Sequence, residues 1–347
     1  MKIFKTILIA GVFGLLLGSC TQQENNKENN LENPDTTKYV LVIHGGAGAI
    51  SKDEMTPELE KQYRSALEEA LKSGYDAIQS GKTSVEAVQA AINILEDSPL
   101  FNAGKGAVFN NDGKNEMDAS IMDGGKMKAG AVAEVSNLKN PIDGAIAVME
   151  KSEHVMLAGK GAEDFAASVG LEIVDPSYFW TEKRWQELLE ARDGITDERT
   201  ASLLKKKKKK YLGTVGAVAL DKNGNIAAGT STGGMTNKKY GRIGDSPIIG
   251  AGTYANNATA GISCTGSGEY FIREVAAHRI SDLIELKGLS LEDAISQTLK
   301  EIGDVGGDGG MIGLNKKGEY SMQFNTEGMY RGVVDEKGNI SVAIYDK

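Results

Sequence analysis

A threonine preceded by a glycine, Thr214 after Gly213, is the best candidate for a nucleophile in this chain. The three histidines, His44, His154 and His278, lie in no His-Glu-x-x-His motif and beside no Gly-x-Ser-x-Gly motif. A hydroxyl nucleophile without histidine can use a free α-amine as its base, since that amine has an unperturbed pKa of about 7.7 to 8.0. Cleavage between Gly213 and Thr214 would create this amine. On these two residues alone, a loop that leads into a strand is the simpler interpretation.

The surroundings of Thr214 predict a β-hairpin rich in hydroxyl groups. Two apolar runs flank an Asn-Gly pair at residues 223–224, which is typical of a two-residue hairpin turn. This turn would place Thr214 opposite Gly233 and next to Thr232, unless the register slips by one residue. The hydroxyl cluster at residues 230–232 would then lie beside Thr214, where it could carry protons or orient the amine.

The elements that must position these residues alternate along the chain. Strands are predicted at residues 39–43, 117–122, 127–135, 312–314, 320–324, 332–334 and 340–344, and helices at 57–79, 142–149, 162–169, 269–286 and 291–302. A further helix should begin at Thr83, because Glu86 three residues later completes a capping-box pattern. A glycine loop is expected at residues 44–48, after the first strand. Both halves mix strands with helices, so the sequence predicts layered sheets flanked by helices.

Composition narrows the class of protein and its partners. The chain has 347 residues, enough for one large domain or two small ones, and its 43 glycines imply many tight turns or close backbone contacts. A formal charge of −9 argues against nucleic acid as a partner. With only Cys20 and Cys264, neither a disulfide framework nor a cysteine-based zinc site is expected.

The first residues predict a lipoprotein signal peptide. Two lysines precede the apolar run at residues 7–17, and Leu-Gly-Ser-Cys then resembles a bacterial lipobox ending at Cys20. Residues 1–19 would be removed, Cys20 would carry the lipid, and the polar residues 20–38 would form a disordered tether. The alternative is a buried N-terminal helix. This interpretation predicts a lipid-anchored protein of the bacterial cell envelope, on the periplasmic side or in the outer membrane, with the membrane as a partner.

A second change in composition predicts an internal linker at about residues 175–213. It contains many charges and ends in six consecutive lysines at residues 205–210. Such a run beside tryptophans could bind nucleic acid or anionic lipid, but a solvated charged segment is the more common reading.

Four motifs give the chain a resemblance to the plant-type asparaginases, which are N-terminal nucleophile hydrolases. In family order they are GTVGAVALD at 213–221, TSTGG at 230–234, GRIGDSP at 241–247 and CTGSGE at 264–269. The similarity covers nearly all of residues 39–345. It implies an α+β fold, a four-layer αββα sandwich, in which the precursor cuts itself before the threonine. An α subunit (39–213) and a β subunit (214–347) would share one folded domain and assemble as a dimer of α/β heterodimers.

The resemblance also assigns site residues. The implied catalytic residues are Thr214, Thr232, Thr265 and Gly266. The implied substrate-binding residues are Asn102, Arg242, Asp245, Thr265, Gly266 and Gly268. Because a guanidinium pairs with a carboxylate and a carboxylate with an ammonium, Arg242 and Asp245 would hold the α-carboxylate and α-amine of an aspartyl group. Without the resemblance, these two residues read as a surface ion pair in a glycine loop.

No cofactor is expected for catalysis, but the resemblance implies a structural sodium ion. Its ligands would be the backbone carbonyl oxygens of Leu95, Glu96, Ser98, Phe101, Ala103 and Lys105. Hard cations prefer such oxygen ligands.

The activity implied is that of a self-cleaving amidohydrolase. It would hydrolyse the side-chain amide of L-asparagine and the isopeptide bond of β-aspartyl dipeptides, in both cases giving L-aspartate. Two alternatives are a glycosylasparaginase of the same fold and a lipoprotein that binds a ligand without catalysis. The motif GRIGDSP followed by Ala-Asn-Asn at residues 255–257 favours the isoaspartyl-peptidase branch over the first alternative.

Overall fold

A computed structural model describes residues 38–193 and 213–345. Within these ranges the strands are β1 (Val40–Gly48), β2 (Met117–Asp123), β3 (Lys128–Val135), β4 (Met156–Ala158), β5 (Val215–Leu220), β6 (Ile226–Thr232), β7 (Thr253–Ala255), β8 (Ala260–Gly266), β9 (Gly309–Asn315), β10 (Tyr320–Phe324), β11 (Gly328–Val334) and β12 (Ile340–Tyr345). The α-helices are α1 (Pro57–Gln79), α2 (Ser84–Asp97), α3 (Pro141–Lys151), α4 (Gly159–Ser168), α5 (Glu182–Asp193), α6 (Gly268–Glu274), α7 (Ala276–Lys287) and α8 (Leu291–Asp304). The predicted signal peptide, Cys20 and the lysine run lie outside the described residues.

Two sheets form the middle of the fold. The larger has the strand order β12-β11-β1-β5-β6-β2-β3-β4 and the smaller the order β10-β9-β8-β7. Strands β1, β5 and β6 of the larger sheet pack on β8 and β9, while α1, α2 and α3 cover its other face and α7 and α8 cover the smaller sheet. The predicted four-layer αββα sandwich of the α+β class is confirmed.

The continuous apolar run of β1 follows from this layering, because both faces of the strand are covered. Leu41 and Ile43 join a core beneath α1 and α2. Val40 and Val42 point the other way, into a second core between the two sheets. Burial on both faces thus explains why β1 lacks the alternating pattern of a half-exposed strand.

Strands from before and after residue 213 are interleaved in the larger sheet. Strand β1 lies between β11 and β5, and β2 pairs with β6. The expected α and β subunits therefore contribute neighbouring strands to one sheet rather than separate lobes.

The hairpin of β5 and β6 differs by one residue from the predicted register. Its turn contains three residues instead of two and ends at Gly224, whose φ is 75°. The Asp221 carboxylate accepts two backbone N–H groups of this turn, which fixes the longer loop. The shift sets Thr214 opposite Thr232 rather than opposite Gly233.

Helix α1 has the predicted bounds, and the predicted capping box begins α2, where Thr83 and Glu86 cap each other. The glycine loop expected at residues 44–48 is instead part of β1, which continues through a bulge between His44 and Gly46. The helix expected at 269–286 is broken at Val275, where φ is 48°.

The described start of the predicted linker is helical. Residues 176–179 form a 3₁₀ turn and are followed by α5. Phe179 is fully buried, and Arg184 donates from Nε to the Gly106 carbonyl oxygen at 2.8 Å. These contacts hold residues 176–193 against the body of the fold.

Candidate active site

The Gly213–Thr214 peptide lies among donors that point at its carbonyl oxygen. Asn102 Nδ2 donates to Gly213 O at 2.7 Å, and Thr232 Oγ1 lies 3.4 Å from the same oxygen. Asn102 is itself fixed, because its Nδ2 also donates to Gly234 O and its Oδ1 accepts from a backbone N–H. Negative charge that develops on Gly213 O would therefore meet oriented donors.

Gly46 lets β1 pass directly over this peptide. At its bulge it has a φ of 107°, and a Cβ there would lie 2.8 Å from Gly213 Cα and 3.1 Å from Thr214 N. Both the backbone angle and the close approach require glycine. Asn102 is also close, since a Cβ on Gly213 would lie 3.0 Å from the Asn102 Cβ.

The hydroxyl groups of Thr214 and Thr232 face each other. Thr214 Oγ1 donates to Thr232 Oγ1 at 3.1 Å, and Thr232 Oγ1 also accepts from Gly234 N at 3.0 Å. Both side chains are buried. The observed hairpin register creates this pair, so the structure brings together the two threonines that were predicted to act together.

Thr265 and Gly266 end β8, on the facing sheet. Thr265 is fully buried, and its Oγ1 accepts from Ala47 N at 3.4 Å, one residue beyond Gly46. Gly266 has a φ of 155°, and a Cβ there would lie 2.3 Å from the Asp308 carbonyl oxygen. None of the hydrogen bonds among the described residues joins Thr265 to Thr214, so their link runs through β1.

Arg242, Asp245 and Gly268 lie together in the structure. A Cβ at Gly268 would lie 2.8 Å from Asp245 Oδ1 and 2.9 Å from Arg242 Nη2. The Arg242 guanidinium is already engaged, because its Nε and Nη2 donate to the two carboxylate oxygens of Glu269 at 2.9 and 3.0 Å. The sequence reasoning assigned no role to Glu269, although it stands in the CTGSGE motif.

Asp245 carries a buried carboxyl group with spare bonding capacity. Burial raises its pKa to about 7, and the positive charge of Arg242 only partly opposes this rise. Its Oδ2 has no hydrogen-bond partner within the described part of the chain. A buried oxygen without a partner is costly, so this position suits the ammonium group of a ligand.

His44 is a site residue to which the sequence gave only a minor role. It is fully buried, with Nδ1 3.0 Å from Thr214 O and Nε2 2.9 Å from Ser263 Oγ. Burial lowers the pKa of its imidazole to about 3, so the ring is neutral. These contacts allow His44 to hold the Thr214 backbone, and its low pKa makes the ring a weak base.

In the loop after α2, backbone carbonyl oxygens lie close beside two glycines. A Cβ at Gly104 would lie 2.3 Å from Glu96 O, and one at Gly106 would lie 2.0 Å from Phe101 O, so only glycine leaves room beside these two oxygens. Across residues 38–193 and 213–345, no group of three or more His, Cys, Asp or Glu side chains could hold a metal ion. A cation in this loop would thus depend on backbone oxygens.

Comparison with known proteins places this geometry in a family. The family model described as Asparaginase matches residues 37–344. The chain is 49% identical to an isoaspartyl peptidase of Escherichia coli over 317 residues, which cover 87% of this chain and 98% of that protein. It is 50% identical to an isoaspartyl peptidase of Salmonella typhimurium (85% and 94% covered) and 42% identical to a plant-type L-asparaginase of Pyrococcus abyssi (86% and 97% covered).

The comparisons contradict the predicted lipoprotein signal peptide, membrane attachment and cell-envelope location, so that prediction is wrong. The relatives bear the names of peptidases and asparaginases, and none of those names describes a lipoprotein. No helix in the described ranges is long and apolar enough to cross a membrane. The prediction depended on a four-residue motif and a short apolar run, which are far less specific than a match along the whole enzyme body.

The family match covers well over half of the chain, and several relatives exceed 40% identity. The αββα layers agree with that match in fold, and the motifs from Gly213 and Thr214 onwards agree with it in their order along the chain. The chain therefore belongs to the asparaginase family of N-terminal nucleophile hydrolases.

Proposed function

We propose that this chain is a self-cleaving amidohydrolase that releases L-aspartate from L-asparagine and from β-aspartyl dipeptides. The observation that carries the proposal is the Gly213 carbonyl, held by Asn102 and Thr232 beside the Thr214 hydroxyl. Support for the substrates comes from relatives named isoaspartyl peptidase and plant-type L-asparaginase. Those names do not favour the glycosylasparaginase or the non-catalytic alternative.

Maturation begins with attack by Thr214 Oγ1 on the carbonyl carbon of Gly213. The new C–O bond replaces the peptide C–N bond, so the acyl group moves from nitrogen to oxygen. The proton lost by the Thr214 hydroxyl ends on the Thr214 nitrogen, which becomes an amine. Asn102 Nδ2–H and the Thr232 hydroxyl stabilise the oxyanion on Gly213. Water then hydrolyses the ester, leaving Gly213 as a carboxylate and Thr214 as a new N-terminus.

The same hydroxyl then attacks the substrate. The Thr214 amine accepts its proton, and the oxygen attacks the side-chain carbonyl carbon of the aspartyl group. Ammonia or an amino acid leaves with a proton, and water hydrolyses the acyl-enzyme to L-aspartate. In this scheme Thr265 and Gly266 stabilise the oxyanion, while Arg242 and Asp245 bind the α-carboxylate and the α-amine.

Enzymes of the asparaginase family generally catalyse without a cofactor, and these steps use only the chain, the substrate and water. We keep the structural sodium ion as a proposal, supported by the carbonyl oxygens beside Gly104 and Gly106. The division into α (39–213) and β (214–347) subunits, and their assembly as a dimer of α/β heterodimers, also remain proposals.

Mass spectrometry with N-terminal sequencing tests the proposed cleavage. The wild type should give two fragments, the second beginning at Thr214, and should release aspartate from both substrates. Thr214→Ala should stay one chain and be inactive, whereas Thr214→Ser should still cut. As a control, Cys264→Ala should cut normally, because the Cys264 thiol is buried and burial raises its pKa. A second fragment that begins elsewhere, or activity in uncut Thr214→Ala, would refute the proposal.

A further inference from the structure

A row of buried side chains joins the Thr214 carbonyl to the segment that carries Asp245. We call it the buried relay; its members, in order, are His44, Ser263, Thr230, Thr253 and Ser120. From His44 to Ser120, the four internal contacts measure 2.9, 2.7, 2.6 and 2.8 Å. At one end His44 Nδ1 lies 3.0 Å from Thr214 O, and at the other Ser120 Oγ donates to Ser246 O at 2.6 Å.

The relay runs through the interface between the two sheets. Its members come alternately from the larger and the smaller sheet, in the order β1, β8, β6, β7 and β2. All five side chains are fully buried, and Ser246 is 1% exposed. Water is thus kept from the hydroxyl groups, and each contact must be satisfied within the row.

The row has fewer hydrogens than contacts. A carbonyl oxygen only accepts, so each end of the relay needs a donated hydrogen. One neutral imidazole and four hydroxyls supply five hydrogens, whereas the row has six contacts. A branch from Thr230 Oγ1 to Gly252 O, at 3.2 Å, competes for the same hydrogens. At least one contact in the row therefore lacks a hydrogen at any moment.

Ser120 decides how the two ends of the row are balanced, because its single hydrogen has two acceptors, Ser246 O and Thr253 Oγ1. Thr253 donates onward to Thr230, so a hydrogen given to Thr253 strengthens the contacts that lead to His44 and the Thr214 carbonyl. A hydrogen given to Ser246 O instead weakens those contacts. The His44 ring stays neutral in both arrangements, because burial opposes the protonation that would satisfy all six contacts.

We propose that the buried relay couples the substrate-binding segment at Asp245 and Ser246 to the backbone of Thr214, so that a hydrogen bond strengthened at one carbonyl is weakened at the other. The inference rests on the proposed function, because it takes Asp245 as the group that holds the substrate ammonium. Ligand bound at Asp245 acts on the neighbouring Ser246 carbonyl, and the Ser120 hydrogen is redistributed between Ser246 O and Thr253 in response, which changes the strength of the contacts at His44. His44 and the four hydroxyl residues are thus positioning residues for the nucleophile.

Nitrogen-15 NMR of the imidazole groups tests the coupling in the matured enzyme. The chain has three histidines, and His154→Gln and His278→Gln variants assign the His44 signals by elimination. Saturation with L-aspartate should shift the signals of both ring nitrogens of His44 in the wild type, as the hydrogen bonds at Nδ1 and Nε2 change in strength. In Thr253→Val, which interrupts the relay, the same saturation should leave them in place. No shift in the aspartate-saturated wild type, or an equal shift in the variant, would overturn the coupling.

Kinetics with L-asparagine separates positioning from simple packing. Thr253→Val should lower kcat about fivefold with KM changed less than about twofold, well short of the ~100-fold that a 1 Å misplacement of reacting groups can cause. Thr253→Ser keeps the hydroxyl and should restore kcat. The matched control is Thr298→Val in α8, another fully buried threonine. Within the described ranges, its hydroxyl bonds only to the Ala294 carbonyl of its own helix, so the kinetics of this variant should be unchanged.

Equal losses in Thr253→Val and Thr253→Ser would assign the effect to packing and overturn the proposal. If Thr253→Val fails to fold, Ser120→Ala interrupts the relay at its other end and should likewise remove the aspartate-induced shift of His44. Failure of the proposed function has a different signature, since the wild type itself would neither bind L-aspartate nor release it from L-asparagine.

Discussion

At the scale of single residues, Arg242 is bonded to a carboxylate before any substrate arrives. Glu269 occupies its Nε and Nη2, so a substrate α-carboxylate must use the remaining Nη1 edge or displace Glu269. Either route depends on the planar fork of a guanidinium, which a lysine does not provide. Because of the ion pair with Glu269, the role proposed for Arg242 depends on the geometry of a guanidinium as well as on its charge.

Arg242→Lys should lower kcat/KM for L-asparagine and for a β-aspartyl dipeptide by about tenfold or more, because bidentate pairing is lost. Self-cleavage should be little changed, since Arg242 has no contact with Gly213. The control is Arg273→Lys in neighbouring α6, where the guanidinium lies over the Tyr270 ring. Steady-state kinetics decide, and unaltered values for Arg242→Lys on both substrates would exclude the role.

Binding of L-aspartate should strengthen as the pH rises through 7, since the Asp245 carboxyl, with a pKa of about 7, must ionise to pair with the ligand ammonium. The dissociation constant from calorimetry should fall about tenfold between about pH 6 and about pH 8. Asp245→Asn should bind weakly at both pH values. A wild-type constant that is independent of pH would contradict this role.

The same carboxyl group should make the folded protein less stable as the pH rises, whereas it makes ligand binding stronger. Its pKa is raised from 3.8 to about 7 on folding, so over that window the folded chain holds a proton that the unfolded chain has released. The contribution of Asp245 to the free energy of unfolding should therefore fall as the pH rises from about 4 to about 7. Urea unfolding of the wild type and Asp245→Asn would show the difference.

Residue types and motif order predicted which side chains gather at the site, but not how they bond. The sequence could not show that Asn102 faces Gly213 O, because the two are 111 positions apart and meet only through the packing of a loop on the hairpin. Nor could it show the partner of Arg242, since the loop that carries Arg242 meets Glu269 in α6 only after the chain has folded.

At the scale of elements, the bulge in β1 lies directly against the Gly213–Thr214 peptide. Gly46→Ala should slow self-cleavage about tenfold or more, because the new Cβ would push on Gly213 Cα, 2.8 Å away. Gly81→Ala is the matched control, because Gly81 also has positive φ, 85°, but has nothing within 4 Å of its Cβ position. Both changes should cost about 1 kcal/mol of backbone strain. Equal cleavage rates, measured by mass spectrometry over time, would refute the role of the bulge.

The loop after α2 should respond to sodium. Replacing choline chloride by sodium chloride at equal ionic strength should raise the Tm by about 2 °C or more, because an ion that binds only the folded chain stabilises it. Gly104→Ala, whose Cβ would lie 2.3 Å from Glu96 O, should lose this response. Gly81→Ala should keep it. A Tm indifferent to sodium in the wild type would argue against the ion.

Strong local sequence patterns predicted the bounds of some helices and strands well. Where the predicted and observed elements differ, contacts that form only in the folded chain or a rare backbone angle are the reason. The bounds of α1 follow from its proline start and helical periodicity. The predicted hairpin register differs by one residue from the observed register, because Asp221 stabilises a three-residue turn. An Asn-Gly pair predicts a two-residue turn instead. The sequence did not predict the break at Val275, because positive φ is rare in a β-branched residue and no local pattern marks it.

At the scale of the whole molecule, cleavage should not separate the fragments. Strand β1 is hydrogen-bonded on both edges to strands from beyond residue 213, and β2 pairs with β6. The cut protein should therefore keep the mass of the uncut chain in analytical ultracentrifugation, or twice that mass if the proposed dimer forms. It should also unfold in a single transition. Dissociation of the fragments without denaturant would contradict the interleaved sheet.

Because the strands are interleaved, cleavage of the chain would show that the larger sheet has formed. The groups around the Gly213 carbonyl come from β1, from the loop after α2 and from β6, and they meet only when the larger sheet has formed. A chain trapped in another arrangement would keep its peptide intact and never acquire the reactive amine. The ratio of cut to uncut chain would thus count, molecule by molecule, how many copies have reached the native topology, with no added probe.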